Sequence, residues 1–174
     1  GDDTLSLNFS NSTGSIRQSN TGENGYFYDY YYGYGTDYEN IENIIITGSS
    51  FDDTLSGAIG DSLDGGEGED VLNFDASDAT RDLEYESGQS LNFNFDNTSI
   101  QNFERLGDIT LGSGNDRLIF DADDSLFIDN FDGRDIDGGE GNDTLSLNFS
   151  TASGSIIQDS QGANGTVNNL NSDY

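Results

Sequence analysis

Apolar and polar residues alternate along several short stretches of this chain. Leu5, Leu7 and Phe9 are separated by single polar residues, and the same spacing recurs at 91–95 and 145–149. A period of two places the apolar side chains on one face of a β-strand. Clusters of Gly, Asn and Asp, which adopt positive φ at low cost, separate these stretches. The pattern therefore predicts an all-β fold of short strands joined by tight turns.

The sequence also repeats itself. Residues 1–16 recur at 141–156 with 12 of 16 positions identical, and a partial copy of the same motif lies at 68–74. Self-similarity on this scale is typical of solenoids and repeat arrays. Because the array begins and ends inside a unit, we expect it to belong to a longer one. The units of this single array are 1–67, 68–140 and a partial 141–174.

The lengths of the units predict how the strands stack. Units of 67 and 73 residues divide into about four coils of ~17–18 residues, which favours parallel strands stacked along one axis. The second unit is longer by ten residues, and we expect segment 127–136 to bulge from one coil. The side chains expected to line the interior are Leu5, Leu7, Leu55, Leu72, Phe74, Leu118, Phe120, Leu145 and Leu147.

The strongest local signal is a nine-residue motif, Gly-Gly-x-Gly-x-Asp-x-U-x, in which U is large and apolar. Residues 65–73 and 138–146 match it at every defined position, 111–119 lacks one Gly, 48–56 lacks two, and 1–5 is the tail of another. Gly lets the backbone turn tightly enough to direct its carbonyls at a shared point, to which the Asp adds a negative charge. Two such turns, stacked one strand spacing apart (~4.8 Å), can share a Ca²⁺ ion.

The composition favours a cation as well. The chain carries 34 Asp and Glu residues against 5 Arg, a formal charge of −29, and only 32% of its residues are hydrophobic. This balance is typical of disordered chains, yet the alternating stretches indicate ordered strands. A multivalent ion with oxygen ligands, such as Ca²⁺, would offset the repulsion.

The same composition excludes several classes of function. The five basic residues are scattered, so no basic patch can follow a nucleic-acid backbone, and no apolar stretch is long enough to enter and span a membrane. The chain has no Cys and no His, which excludes disulfides, zinc sites and histidine catalysis. Carboxylates are too numerous for any pair of them to indicate a glycosidase, so we do not expect an enzyme.

The motif and its surroundings resemble the RTX (repeats-in-toxin) family of secreted calcium-binding β-rolls. The resemblance lies in NIENI (residues 40–44), GSSFDDTLSG (48–57) and LDGGEGEDVLNF (63–74), and it is greatest to the large surface proteins and adhesins of that family. It implies a right-handed parallel β-roll or β-solenoid, Ca²⁺ held in the turns, export, and folding outside the cell.

The resemblance also implies a set of calcium ligands, carried over by position. The carboxylate ligands are Asp3, Asp53, Asp70, Asp116 and Asp143, with Asp61, Asp64 and Asp137 as further candidates. The carbonyl ligands come from the turns that contain Gly65, Gly66, Gly68, Gly112, Gly114, Gly138, Gly139 and Gly141. For each Asp the alternative is an ordinary turn residue whose carboxylate accepts hydrogen bonds from local amides.

We therefore expect a calcium-binding structural or spacer segment of a secreted or cell-surface bacterial protein, such as a fibre, surface layer or adhesin. The alternative is a secretion-signal module attached to an enzyme or toxin. The expected partners are calcium ions, neighbouring repeats and further copies of the chain, in an extracellular location.

Each of two further segments can be interpreted in two ways. Residues 25–34 contain six Tyr. We favour a strand pair whose Tyr side chains alternate into the core, and the alternative is an exposed aromatic platform for a glycan or a protein. The acidic run 121–137 is interpreted as a solvated face, and the alternative is a further Ca²⁺ site.

Overall fold

The chain folds as a series of short strands. The computed structural model describes residues 1–21, 23–86, 91–95, 97–121, 135–148, 155–161 and 164–170. Strands make up 53% of the chain and no helix occurs in those ranges, which confirms the all-β prediction. Nothing in the described ranges has the helical length and apolarity needed to cross a membrane.

Seventeen strands follow one another along the described chain. In chain order they are β1 (Thr4–Asn8), β2 (Ile16–Thr21), β3 (Asn24–Asp29), β4 (Tyr34–Tyr38), β5 (Asn43–Thr47), β6 (Thr54–Ala58), β7 (Ser62–Asp64), β8 (Val71–Asp75), β9 (Glu84–Glu86), β10 (Leu91–Phe95), β11 (Thr98–Phe103), β12 (Arg105–Thr110), β13 (Arg117–Asp121), β14 (Ile136–Asp137), β15 (Thr144–Asn148), β16 (Ser155–Gln161) and β17 (Asn164–Leu170).

Parallel ladders form most of the sheets, and antiparallel hairpins extend them. The first sheet has the order β1-β5-β7-β11-β10, parallel except for the β10–β11 hairpin. The second has the order β14-β12-β8-β6-β2-β3-β4, parallel from β14 to β2 and antiparallel from β2 to β4. A third, parallel sheet has the order β15-β13-β9, and β16 pairs antiparallel with β17. Parallel pairing is therefore found, as expected, but within mixed sheets whose hairpins the repeat pattern did not predict.

Strands β5 to β8 alternate between the first two sheets. Ile45 pairs with Ser62 in the first sheet, and Thr54 pairs with Val71 in the second. Both spacings are 17 residues, as the lengths of the units predicted, whereas the other parallel ladders join residues that are 27 to 39 positions apart. Most of the expected bulge, residues 127–134, lies outside the described residues, and Ile136 already belongs to β14, which pairs with β12.

The core consists of the inward-facing residues of these ladders. Five predicted core residues are at most 3% exposed: Leu55, Leu72, Phe74, Leu118 and Phe120. Three more are half-buried: Leu5, Leu7 and Leu147. The prediction is wrong for Leu145, which is 49% exposed, because no described strand pairs with the outer edge of β15.

The tyrosine-rich segment forms a strand pair, as favoured, but most of its rings face solvent. Phe27, Tyr28 and Tyr38 are half-buried, and Phe27 packs against Phe9 with ring centroids 5.4 Å apart. The interpretation that the rings alternate into the core is wrong for the others, because the chain reverses at the edge of the second sheet. The exposed members are Tyr26, Tyr30, Tyr31, Tyr32 and Tyr34.

Candidate metal centre

The motif turns stack on one another in two columns. In the first column the turn 48–53 lies against the turn 65–70, and in the second the turn 111–116 lies against the turn 138–143, with backbone hydrogen bonds joining each pair. Both contacts follow from the parallel strands that flank the turns, because equal register carries the turns into contact. The proximity that the sequence predicted is therefore present in both columns.

Glycine is required in these turns for two different reasons. Four glycines have a positive φ that a residue with a Cβ rarely adopts: Gly66, Gly68, Gly139 and Gly141. At four others a Cβ would come within 2.8 Å of an atom in a neighbouring turn or of a motif Asp: Gly65, Gly112, Gly114 and Gly138. Each motif glycine thus allows either the turn or the close approach of two turns.

Four of the motif Asp residues stand directly before a strand and cap the neighbouring turn: Asp53, Asp70, Asp116 and Asp143. Asp70 Oδ1 accepts a hydrogen bond from the backbone N–H of Asp53 at 2.7 Å, and Asp53 Oδ1 accepts one from the N–H of Ile16 at 2.7 Å. Donor and acceptor lie at the same level of adjoining strands. We call such rows of bonds from backbone N–H to side chain the capping ladder.

The second column repeats this arrangement. Asp143 Oδ1 accepts from the N–H of Asp116 at 2.9 Å, and Asp116 Oδ1 accepts from the N–H of Leu83 at 2.8 Å. The alternative interpretation of the motif Asp residues, as caps for backbone amides, therefore holds for one oxygen of each carboxylate. Their second oxygens decide whether they can also bind an ion.

The capping ladder includes side chains that the sequence analysis missed. Glu42 accepts from the N–H of Asp3 at 2.8 Å, and Glu104 accepts from the N–H of Asp70 at 3.0 Å. Both glutamates stand directly before a strand, which is the position of the Asp in the motif. A polar acceptor at that position was the available signal, and it was overlooked because these turns lack the motif glycines.

Asp53 and Asp61 have both carboxylate oxygens occupied by backbone amides. Asp53 Oδ2 accepts from the N–H of Ser49 at 2.6 Å. The two oxygens of Asp61 accept from the N–H groups of Ile44 and Ala58, each at 2.8 Å. Burial raises the pKa of both carboxyls. Neither side chain needs a further partner, so both are complete as caps.

Asp70 and Asp116 differ, because each buries an oxygen with no hydrogen-bond partner. Asp70 is 0% exposed and Asp116 is 2% exposed, and in both the bare atom is Oδ2. Burial raises the pKa of both carboxyls, that of Asp70 to about 7, and nearby carboxylates add to the rise. Buried polar atoms in folded proteins nearly always have a partner. Within the described ranges these are the two carboxylate oxygens that are buried without a hydrogen-bond partner, and a nearby positive charge would stabilise them.

The bare oxygen of Asp70 borders a space that only a glycine leaves open. A Cβ on Gly65 would lie 2.7 Å from Asp70 Oδ2 and 2.1 Å from the carbonyl oxygen of Asn102. A carboxylate from one turn and a carbonyl from the next therefore line the same small space. Both are oxygen donors of the kind that Ca²⁺ takes at 2.3–2.6 Å, so the residues present fit this ion.

The second column offers the same kind of donors. A Cβ on Gly114 would lie 2.3 Å from the carbonyl oxygen of Arg81 and 2.8 Å from Asp116 Oδ1. A Cβ on Gly138 would lie 2.8 Å from Asp143 Oδ2. Carbonyl and carboxylate oxygens thus approach each other at this column as well.

The remaining predicted carboxylates have other surroundings. Asp64 accepts from the side-chain amides of Gln101 and Asn102, each at 2.8 Å. Asp64 and Asp137 also accept from the N–H two residues later, which shapes their own turns. Asp3 is exposed ahead of β1. Within the described ranges no three carboxylates come together as a metal-binding group, so an ion would need backbone carbonyls among its ligands.

Comparison with known proteins found no matching family model, no matching curated protein and no matching solved structure.

Proposed function

We propose that this chain is a calcium-stabilised structural segment in which stacked acidic turns hold Ca²⁺ and couple folding to ion binding. The observation that carries the proposal is the pair of buried oxygens, Asp70 Oδ2 and Asp116 Oδ2, that have no hydrogen-bond partner. Taking a carboxylate out of water costs several kcal/mol unless an opposite charge compensates it. A bound cation supplies that charge.

The donor chemistry favours Ca²⁺ over other common ions. The chain has no His and no Cys, so the soft and nitrogen ligands preferred by zinc and copper are absent. Carboxylates and backbone carbonyls from two turns form an irregular oxygen set, which Ca²⁺ accepts readily. Mg²⁺ demands near-ideal octahedral geometry and retains its waters.

One ion would be held in each column of turns. In the first column the ligands are the Asp70 carboxylate and the Asn102 carbonyl beside Gly65. In the second they are the carboxylates of Asp116 and Asp143 with the carbonyls of the adjacent turns. Asp53 and Asp61, whose oxygens are already occupied, serve as caps in this proposal and not as ligands.

For the fold we propose a right-handed parallel β-roll, in which the alternating sheets are the walls of successive coils. The 17-residue register of β5 with β7 and of β6 with β8, together with the stacking of the turns, supports this architecture. Right-handed crossovers are strongly preferred between parallel strands. The hairpins β2–β4 and β10–β11 are then insertions at the edges of the coils.

The role that follows is that of a spacer segment in a secreted or cell-surface protein. The segment would fold when it meets the calcium concentration outside the cell. Extracellular calcium modules bind at about 10⁻⁴–10⁻³ M. With a charge of −29 the chain would repel itself inside a cell, where calcium is scarce, and would close its coils outside.

Calcium-dependent folding is tested by far-UV circular dichroism and size-exclusion chromatography in EDTA, in millimolar Ca²⁺ and in millimolar Mg²⁺. We expect little β signal and an expanded chain in EDTA, a compact β-rich chain in Ca²⁺, and a weaker response to Mg²⁺. Binding several ions only in the folded state makes the transition steep. Equal β content in EDTA and in calcium would overturn the proposal.

A further inference from the structure

The turn between β3 and β4 presents aromatic side chains to solvent on a defined backbone. Tyr30, Tyr31, Tyr32 and Tyr34 are 54%, 65%, 58% and 75% exposed. Contiguous exposed aromatic residues on a soluble chain usually mark a contact surface. We call these four residues the tyrosine tip.

Asp29 fixes the shape of the tyrosine tip. Its carboxylate accepts hydrogen bonds from the N–H groups of Tyr31 at 2.8 Å and Tyr32 at 3.1 Å, and from the Ser12 hydroxyl at 3.0 Å. Desolvation alone would raise the pKa of the Asp29 carboxyl, but these hydrogen bonds hold it below its usual value. Gly33, at φ +67°, closes the turn with a bond from its N–H to the Asp29 carbonyl.

A buried side chain on β2 links the hairpin that carries the tip to β6, in the interior of the second sheet. Gln18 is 1% exposed, and its amide nitrogen donates to the hydroxyl of Tyr38 at 2.7 Å. Its amide oxygen accepts from the N–H of Ser56 on β6 at 2.7 Å. The tip therefore stands on a supported hairpin, and a partner would not have to order it on binding.

A cation already rests on one ring of the tip. The guanidinium carbon of Arg17 lies 5.7 Å from the ring centroid of Tyr30, within the range of a cation–π contact. Tyr31 and Tyr32 meet edge to face, with centroids 5.0 Å apart. This arrangement leaves more than half of the surface of Tyr31, Tyr32 and Tyr34 open to a second cation.

The charge of the chain selects the kind of partner. At −29 the chain repels nucleic acids and acidic glycans, and it attracts cations. Asp37 adds an exposed carboxylate to the same hairpin, where it pairs with Tyr26 across β3 and β4. Arginine suits aromatic faces better than lysine, since its flat guanidinium stacks and is weakly hydrated.

We propose that the tyrosine tip is a docking surface for a cationic, arginine-bearing segment of another protein. The guanidinium groups of that segment stack on Tyr31, Tyr32 and Tyr34, as Arg17 stacks on Tyr30. Carboxylates of the hairpin supply the long-range attraction, and the rings supply the preference for arginine over lysine.

The test uses the full chain in calcium buffer at about 150 mM salt, where long-range charge effects are screened. The probes are two blocked peptides of equal charge, Arg-Gly-Arg-Gly-Arg-Gly and Lys-Gly-Lys-Gly-Lys-Gly, and a neutral oligosaccharide, maltoheptaose. Binding is followed by calorimetry and by tyrosine fluorescence, which reports the hairpin because seven of the nine Tyr lie at 26–38 and the chain has no Trp. We expect the arginine peptide to bind several-fold more tightly than the lysine peptide.

Three variants separate the rings from the charge. Tyr31→Ala/Tyr32→Ala/Tyr34→Ala should weaken the arginine peptide roughly tenfold. The corresponding triple change to Phe should bind as the parent does, because the aromatic faces remain. Ile45→Ala, which removes a 44% exposed side chain from β5, is the matched control and should not alter binding.

Several outcomes would overturn the proposal. One is equal binding of the two peptides together with an unaffected alanine variant, which would mean that net charge alone attracts them. Another is the absence of arginine-peptide binding. A third is tyrosine-dependent binding of maltoheptaose alone, which would make the tip a glycan surface. Circular dichroism of each variant in calcium verifies that the fold is intact.

Discussion

The Asp70 carboxylate accepts a hydrogen bond from the backbone N–H of Asp53, 17 residues earlier, at 2.7 Å. Asp53 in turn accepts from the N–H of Ile16 with the same carboxylate oxygen, Oδ1. Each motif Asp thus ties its own coil to the one before it. What distinguishes Asp70 is its second oxygen, which is buried and bare, whereas that of Asp53 accepts from Ser49.

Removing the charge of Asp70 while keeping its shape should separate the cap from the ligand. In Asp70→Asn the side-chain oxygen can still accept from Asp53, and the unpaired buried charge is gone. We expect the variant to have a free energy of unfolding about 2–4 kcal/mol higher than that of the parent in EDTA. It should therefore show more β structure than the parent under that condition. Calorimetry should show one fewer calcium ion bound. The control is Asp78→Asn, an exposed site outside the motif, where the number of bound ions should not change.

Asp61 should act as a cap that needs no metal. Asp61→Ala leaves the buried N–H groups of Ile44 and Ala58 without their acceptor, which destabilises the fold by about 2–4 kcal/mol. Urea denaturation in saturating calcium measures this loss. Calcium stoichiometry at saturation should equal that of the parent, and a missing ion would show that Asp61 is a ligand.

Gly65→Ala should disrupt the first column of turns. The new Cβ would lie 2.1 Å from the Asn102 carbonyl and 2.7 Å from Asp70 Oδ2, so the backbone must shift. We expect a loss of about 3 kcal/mol or more in the free energy of unfolding and weaker calcium binding. Gly60→Ala is the control, because φ there is +101° but the nearest atom is 3.4 Å away. It should cost about 1–3 kcal/mol through backbone strain and leave the number of bound ions unchanged. Equal effects of the two substitutions on calcium binding would contradict the assignment.

Without calcium, acidification should stabilise the chain. Burial holds the pKa of Asp70 at about 7 in the folded state, against about 3.9 for an unfolded chain, and it raises the pKa of Asp53, Asp61 and Asp116 in the same direction. Between about pH 4 and 7 the folded chain therefore binds more protons than the unfolded chain, and stability falls as the pH rises.

Far-UV circular dichroism in calcium-free buffer should accordingly show more β structure at pH 5 than at pH 8, where the chain is largely unfolded. Saturating calcium should remove or reverse this dependence, because the ion and the proton compete for the same carboxylates. More β structure at pH 8 than at pH 5 in calcium-free buffer would count against the buried carboxylates as the main titrating groups.

Local sequence patterns were sufficient to predict the strands, the turns and most of the core residues. The alternation around Leu55, Leu72 and Leu118 predicts which side chains point inward, because the period of a strand is set by the backbone alone. The position of Asp in the motif likewise predicts that Asp70 and Asp116 stand at stacked turns.

The function of each Asp could not be predicted from local sequence. Asp53 and Asp70 occupy the same motif position, but Asp53 is completed by Ser49 and Ile16, and Ile16 lies 37 residues away. The exposure of the tyrosines also depends on tertiary structure, since the hairpin lies at the edge of its sheet.

In the proposed β-roll each coil pairs only with the coils beside it, which would give the chain a stepwise response to mechanical load. A force pulling its two ends apart would act on the outermost coil first and would open that ladder one hydrogen bond after another. Release of the 17-residue coil between Thr54 and Val71 would add roughly 60 Å of extended chain, at about 3.5 Å per residue. Ions bridging adjacent turns would raise the force of every such step, so that calcium outside the cell would set how far a tether of these coils stretches before it yields.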